Sequence, residues 1–312
     1  MLAKLIAKGL LTWVPGMLTV VGPRGDGTKS AEYCYGVWLK HVTLLRQKGM
    51  CSLPKTIAEL GPGASIGTGL AAVLSGADKY VALDVANLAN ANSNLAVFDE
   101  LIAFFRDRVP RPTSGWPDFD AYLDDNLFPS HILTDEVLES TLSDRRLNSI
   151  RRAIVESSSG QSEITVKYVV PWENPHIIEK ESIDLILSHS VLEHVSDLGK
   201  TYSALRSWLK PGGYMSHQID FTSHGLARQW NGFRAYSEFT WKLIEGKRPF
   251  TINRQPLSAH LGLLVENGFE IVSTLRNDRL DGISRSRLSG KWSALSDDDL
   301  DCSGAFIIAK KL

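Results

Sequence analysis

The chain has 312 residues, enough for one large domain or two small ones with a substantial buried core. Its 34 lysines and arginines against 35 aspartates and glutamates leave it near neutrality, which argues against a nucleic-acid binder dominated by phosphate neutralisation and excludes no small substrate. Three widely spaced cysteines, Cys34, Cys51 and Cys302, with no CxxC pair, suit a reducing compartment better than a disulfide framework or a thiolate zinc site, so a cytoplasmic protein is expected.

The opening stretch "MLAKLIAKGLLTWVPGMLTVV" sets two lysines in an apolar run and reads as a surface segment with peripheral membrane contact as one option. Pro15 and Gly16 interrupt it, no run of about 18 apolar residues exists, and no small-residue cleavage site stands out, so the expectation is a chain without a transmembrane segment. Residues 30–50 read as a helix capped by Ser30, with residues 1–54 a helical extension before a core domain of 55–312. Ile57–Leu60 is a short buried strand, Gly67–Ser75 a helix closed by Gly76, and Tyr80–Leu83 a second strand. A strand, helix, strand unit of this size implies parallel pairing and the start of a doubly wound sheet.

Nothing between residues 87 and 162 reads as a strand, so a helical insert is expected there. Phe98, Leu101, Ile102 and Phe105 have helical spacing, as do Leu147, Ile150 and Ile154 behind Ser143 as a cap. The insert is locally acidic and reads either as a lid or as an added layer. Alternation resumes with strands at 164–170 and 183–188, then an amphipathic helix through Leu198, Tyr202, Leu205 and Leu209 stopped by "PGG" at 211–213. "YMSHQID" is a fifth strand, and "FEIVSTL" and "GAFIIAKKL" are late strands flanking a polar loop.

In a doubly wound sheet the ligand sits at the carboxyl ends of the strands. The first such loop is Gly61, Pro62, Gly63, Ala64, Ser65, Ile66, Gly67, whose glycines let backbone approach a ligand, and Asp84 ends the next strand where a carboxylate can accept two ribose hydroxyls. Two readings compete, an NAD(P)-dependent oxidoreductase and an S-adenosylmethionine methyltransferase. The dehydrogenase fingerprint wants glycine or alanine where Ile66 stands, and a pyrophosphate would be repelled by Glu59, an acid suited to an amino-acid ammonium group. Both points favour S-adenosylmethionine.

"IAELGPGASIG", "YVALDV", "IDLILSHSVLEHV" and "WLKPGGYMSHQID", in that order and spacing, resemble the motifs of class I S-adenosylmethionine-dependent methyltransferases, over roughly residues 56–221 minus the insert. The resemblance implies a Rossmann-like α/β fold of seven strands in the order 3-2-1-4-5-7-6 with an antiparallel last strand, and the two late strands suit that closing hairpin. Glu59, Gly61 and Gly63 would then line the methionine end, with Ser65 and Gly67 completing the loop, Asp84 the ribose, and Ser188 and His189 the loop under the sulfonium. The family commonly has an acid near the adenine after the third strand. Here Val169 and Val170 stand instead, so the backbone of Val170 is the substitute, with Trp172 close by.

Methyl transfer is an in-line displacement, and a neutral hydroxyl acceptor gains from a base, for which histidine is suited. Four of the eight histidines, His189, His194, His217 and His224, flank the ends of the fourth and fifth strands, with Asp220 among them. His194, His217, Asp220 and His224 are the catalytic candidates, and strand alternation sets His217 and Asp220 on opposite faces. "SVLEHV" is similar to the ExxEH element of magnesium-assisted O-methyltransferases, with Glu193 and His194 present, but Ser190 stands where the first glutamate belongs; Asp220 or His224 would have to replace it, and no metal ligand is assigned. Trp230, Tyr236 and Trp241 suit stacking on a planar or sugar acceptor or a helix core, and Arg254 suits an anionic group or a helix cap. "AEYCYGVWLKH" and "SHQIDFTSH" are similar to bacterial methyltransferases of surface-polysaccharide synthesis. The expected function is O-methylation of a sugar or other small-molecule hydroxyl, with no nucleic-acid partner. An NAD(P)-dependent oxidoreductase, a magnesium-assisted O-methyltransferase and a non-catalytic module that binds S-adenosylmethionine are the remaining alternatives.

Overall fold

The computed structural model describes residues 1–16, 27–113, 121–156, 163–172, 174–248 and 250–312. Seven strands form one sheet: β1 (Thr56–Leu60), β2 (Lys79–Leu83), β3 (Thr165–Val169), β4 (Ile183–His189), β5 (Leu209–Asp220), β6 (Phe269–Asp278) and β7 (Cys302–Lys311). Their order is β3-β2-β1-β4-β5-β7-β6. β1 to β5 pair in parallel, and β7 runs antiparallel to both β5 and β6. This is the Rossmann-like arrangement that the motif order implied.

Strands β1, β2 and β4 are buried on both faces, so they read as nearly continuous apolar runs, and their alternation divides the core in two. Ile57, Tyr80, Leu185, Leu187 and Phe306 face one layer. Ala58, Leu60, Val81, Ile186, Met215 and Ile307 face the other. Helices Ala31–Gln47, Gly67–Leu74, Ala91–Arg106, Asp135–Thr141 and Asp144–Glu156 contribute to the first layer, Leu198–Trp208 and Leu257–Glu266 to the second.

Local signals act largely where the sequence puts them. The Ser30 hydroxyl accepts from the Tyr33 amide at the start of helix Ala31–Gln47, and Gly76, at φ +114°, follows helix Gly67–Leu74. Two signals act differently. The Ser143 hydroxyl donates back to the Ser140 carbonyl at 3.0 Å instead of capping helix Asp144–Glu156. Helix Leu198–Trp208 ends before "PGG", which lies inside β5 where the register with β4 is irregular.

The helix before β1 is part of the core, not an appendage to it. Nearly all of Ala31–Gln47 is buried, and the Trp38 indole donates to the Ser75 hydroxyl at 2.7 Å. The described insert helices bury Phe98, Leu101, Ile102, Phe105, Leu147 and Ile150 in that same layer, which makes them a structural cover for the sheet. Helix Leu2–Leu11 packs through Leu5 and Ile6 beside Trp241 and Ile244 of helix Glu238–Glu245. Among the described residues no helix is long and apolar enough to cross a membrane.

Four buried imidazoles tie the layers together. His41 bridges Ser216 at 2.7 Å and His189 at 3.3 Å on one face. On the other, His217 meets the Ser188 hydroxyl at 2.8 Å and His260 meets the Tyr202 hydroxyl at 2.9 Å. Burial lowers all four from the usual imidazole value, to about 3 for His189, His217 and His260. Neutral when folded, they take up protons on unfolding, so the unfolded state binds more protons and stability falls as pH drops from about 6.5 toward 3. The thermal unfolding midpoint should therefore decline steeply below pH 6.5, and His260→Gln should reduce the pH slope of the unfolding free energy by about one proton. An unchanged slope in that variant would show that His260 is already charged in the fold.

Candidate functional site

β1 ends at the glycine turn, and two of its glycines take up backbone angles that side chains resist. Gly61 (φ +64°) and Gly63 (φ +75°) are also the partly exposed points of the turn, while Pro62 and Ala64 between and after them are buried. The Gly61 amide donates to the Leu83 carbonyl at 2.8 Å, and a Cβ on Gly61 would stand 2.6 Å from a methyl of Val191. Bare backbone at this turn thus lies directly against the loop that follows β4.

Asp84 closes β2. Its Oδ2 accepts from the Gly63 amide at 3.2 Å and its Oδ1 from the Val85 amide at 2.7 Å, and burial raises its pKa while these amides lower it. The carboxylate therefore joins the tip of β2 to the glycine turn. Val170, half-buried, follows the end of β3 beside it, where the Asp84 amide donates to the Val169 carbonyl at 3.1 Å.

Several predicted cofactor residues have other duties. The Glu59 side chain is buried, the Tyr80 hydroxyl donates to it, and Thr68 and the Gly69 backbone stand near enough to favour its charged form. Burial pushes its pKa up to about 7 against these groups. Ser65 is spent on the Thr28 carbonyl and the Gly67 amide. Gly67 is a packing glycine: a Cβ there would stand 2.4 Å from the Cys34 sulfur. Ser188 is fully buried against His217, and His189 reaches His41 with one nitrogen while its Nε2 has no partner among the described residues. Of the predicted cofactor residues, Gly61, Gly63 and Val170 are partly exposed at the strand tips, with the Asp84 carboxylate beside them.

Of the acceptor candidates, His217 is removed by geometry. It points into the second layer with no exposed surface, between Tyr202 and Ser188. Asp220, on the opposite face as alternation required, accepts from the Thr222 amide at 2.7 Å and stands 3.4 Å from Nε2 of His224. The His194 ring meets the His224 ring edge-on at 5.0 Å, and burial, then His224, lower its pKa to about 4. Glu193 is buried beside them, which raises its pKa far above the usual carboxylate range. The nearby amides of Glu193 and Asp220 oppose this without reaching hydrogen-bond geometry.

Residues that the motifs did not flag complete the site. Thr28 accepts from the Ala64 amide at 2.7 Å and holds the upstream chain against the glycine turn. Asn253 donates to the carbonyls of Leu192 and Val195 at 2.7 and 2.8 Å, and its own amide donates to the Glu193 carbonyl at 2.6 Å, fixing the turn that carries Glu193 and His194. No spacing rule points to either residue. Arg254 is buried against the faces of Trp241 and Trp292 and pairs with Glu238 at 2.7 Å, so it is neither a substrate anchor nor a cap. Trp230 and Trp241 are likewise buried, and the Tyr236 hydroxyl donates to the Leu226 carbonyl.

These features place a glycine turn and a carboxylate at the tips of β1 and β2, beside a polar, irregular pair of loops after β4 and β5. Residues 67–274 match the model of a methyltransferase domain family, and the chain belongs to that family. It is an S-adenosylmethionine-dependent methyltransferase. No curated protein matches it. Among solved structures it is similar to an S-adenosylmethionine-dependent methyltransferase of Mesorhizobium loti (12% identity, 87% of this chain and 98% of that one, TM-score 0.41). It is also similar to one of Methanosarcina mazei (14%, 86% and 97%, TM-score 0.42). A third similar structure is phosphoethanolamine N-methyltransferase 2 of Haemonchus contortus in complex with S-adenosyl-L-methionine (14%, 95% and 59%, TM-score 0.44). The residues present fit the cofactor: the exposed points of the β1 turn carry no side chain, and a carboxylate stands at the tip of β2.

Asp84→Ala should weaken binding of S-adenosylhomocysteine by at least about tenfold, as calorimetry would show, since it removes a charged acceptor worth roughly 1.5–3 kcal/mol. Wild-type affinity in that variant would take the ribose from Asp84. Glu59 makes a separate prediction. Its raised pKa means the native state holds a proton that the unfolded chain releases, so its favourable contribution is complete below pH 4.5 and is lost as pH rises through about 7. Glu59→Gln should be more stable than wild type at pH 8, by up to about 3 kcal/mol, with the difference closing below pH 4.5 in denaturant titrations.

Proposed function

We propose that the enzyme methylates a hydroxyl oxygen of a small molecule, with a sugar or glycan as the favoured class. The observation that carries this reading is the Asp220–His224 pair. It is partly exposed, it lies beside His194, and the turn bearing His194 also carries Val191 against Gly61. A proton-accepting pair next to the donor turn is what a neutral hydroxyl needs and what an already nucleophilic amine does not. The sugar class is supported by the similarity of the stretches around Tyr35 and Asp220 to methyltransferases of surface-polysaccharide synthesis.

When bound, S-adenosylmethionine supplies a methyl group on a sulfonium, a leaving group that becomes neutral as the carbon–sulfur bond breaks. The chain's own contribution is to place the acceptor and to take its proton. His224 receives that proton as the carbon–oxygen bond forms, and the Asp220 carboxylate orients the ring and stabilises its charged form. Gly61 and Gly63 hold the backbone of the donor side rigid through the Leu83 carbonyl and Asp84.

Release of S-adenosylhomocysteine measured over a panel of sugars, phenols and amines tests the reading, with turnover expected on hydroxyl acceptors. Turnover confined to amines would sink it. His224→Gln should lower turnover about a hundredfold while S-adenosylhomocysteine affinity changes by less than about twofold. Equal losses in both would move His224 to the cofactor side.

A further inference from the structure

We infer that Glu193, His194 and His224 form a binding site for a divalent transition-metal cation at the acceptor end of the sheet. Each residue offers one ligand atom, and these atoms lie within 4.8 Å of one another. They come from two loops, the short turn Leu192–His194 after β4 and the segment after β5, brought side by side by the pairing of His189 with Gln218 at the strand ends.

The strongest sign is what the buried groups lack. Glu193 is 3% exposed, and among the described residues neither of its carboxylate oxygens has a hydrogen-bond partner. Nδ1 of His194 is equally buried and equally unpartnered. Buried polar atoms are nearly always satisfied, and a carboxylate with two orphaned oxygens beside two imidazoles is satisfied at once by a cation.

The outer surroundings suit ligation as well. Asp220 stands 3.4 Å from one ring nitrogen of His224, and the Phe250 backbone approaches the His194 ring, the kind of support that orients a ligating imidazole. Asn253 fixes the turn that carries two of the three ligands. Two nitrogens and one carboxylate select a borderline transition cation over magnesium or calcium, which prefer all-oxygen shells. Three protein ligands leave a coordination position for an oxygen of the substrate. With Asp220 on one ring nitrogen and the cation on the other, His224 is a ligand and no longer the base, and the cation lowers the pKa of a bound hydroxyl in its place; that use rests on the hydroxyl-acceptor reading above, and binding of the cation does not.

The probe is Co²⁺, titrated into the full chain and followed by its visible absorption bands. One equivalent should bind, and Glu193→Gln and His224→Gln should each weaken binding by at least about tenfold. Thermal unfolding confirms that both variants are folded, and glutamine keeps the shape of Glu193. Folded wild type without cobalt bands, or both variants binding as wild type does, would overturn the site. Calorimetry with S-adenosylhomocysteine on the same samples separates the two claims. Cofactor binding without cobalt bands removes the metal site alone, and cobalt bands without cofactor binding uphold the site while removing the cofactor roles given to Gly61, Gly63 and Asp84.

Discussion

The architecture of the site depends on the approach of Val191 to Gly61. The glycine turn after β1 adopts a left-handed backbone, donates its amide to the end of β2, and leaves no room for a side chain where the loop after β4 crosses it. Donor and acceptor sides of a methyl transfer must be held within a bond length or so of in-line geometry. Here that relation is set by one backbone turn packed on one branched side chain. The parallel pairing of β1 with β2 and β4 brings the two loops to the same edge, and the missing Cβ lets them touch.

Beneath this contact the core is unusually polar, and its polar groups are paired in ways that brace the sheet. Glu59 and Tyr80 link adjacent strands under the helix that starts at Gly67. His41 joins β4 to β5 from the covering helix through His189 and Ser216. On the far face Ser188 and His217 are a cross-strand pair in register. Neutral imidazoles serve here as buried hydrogen-bonding struts, which resist the slippage that purely apolar strand ends would permit.

The sequence made the fold legible because its signals are local and repeated. Short apolar runs, a glycine turn and an acid at Asp84 recur at the spacing of a parallel α/β sheet, and the order of motifs implied the strand order that the chain adopts. Facing was also legible, since alternation separates His217 from Asp220. Partners were not. Spacing cannot tell that Glu59 turns toward Tyr80, that Ser65 is consumed by Thr28, or that His217 is sealed behind Tyr202, because those outcomes depend on helices distant in sequence. The metal question shows the same limit. Ser190 offers no carboxylate, and the sequence left Asp220 and His224 as equal candidates to replace it, while the folded loops bring the His224 ring to Glu193 and His194.

Backbone conformation marks the acceptor end more sharply than side-chain type does. Among the described residues, four of the seven left-handed non-glycine positions, Ser190, His224, Phe250 and Arg254, lie around this end, while Arg108, Tyr122 and Glu181 lie elsewhere. Ser190 opens the turn to Glu193 and His194, His224 carries the third ring of the cluster, Phe250 approaches His194, and Arg254 follows the asparagine that pins the turn. Each such residue costs of order 1 kcal/mol and persists only where its surroundings over-determine it. Arg254, clamped between two indoles and Glu238, supplies that determination for its own segment, and Asn253 passes it to the turn beside the cofactor loop. Strain concentrated at one end of a regular sheet is expected where a sequence departs from local preference to hold reactive groups in place. The departure falls on the side proposed to receive the methyl group, while the side proposed to bind its carrier keeps to ordinary glycine-turn geometry.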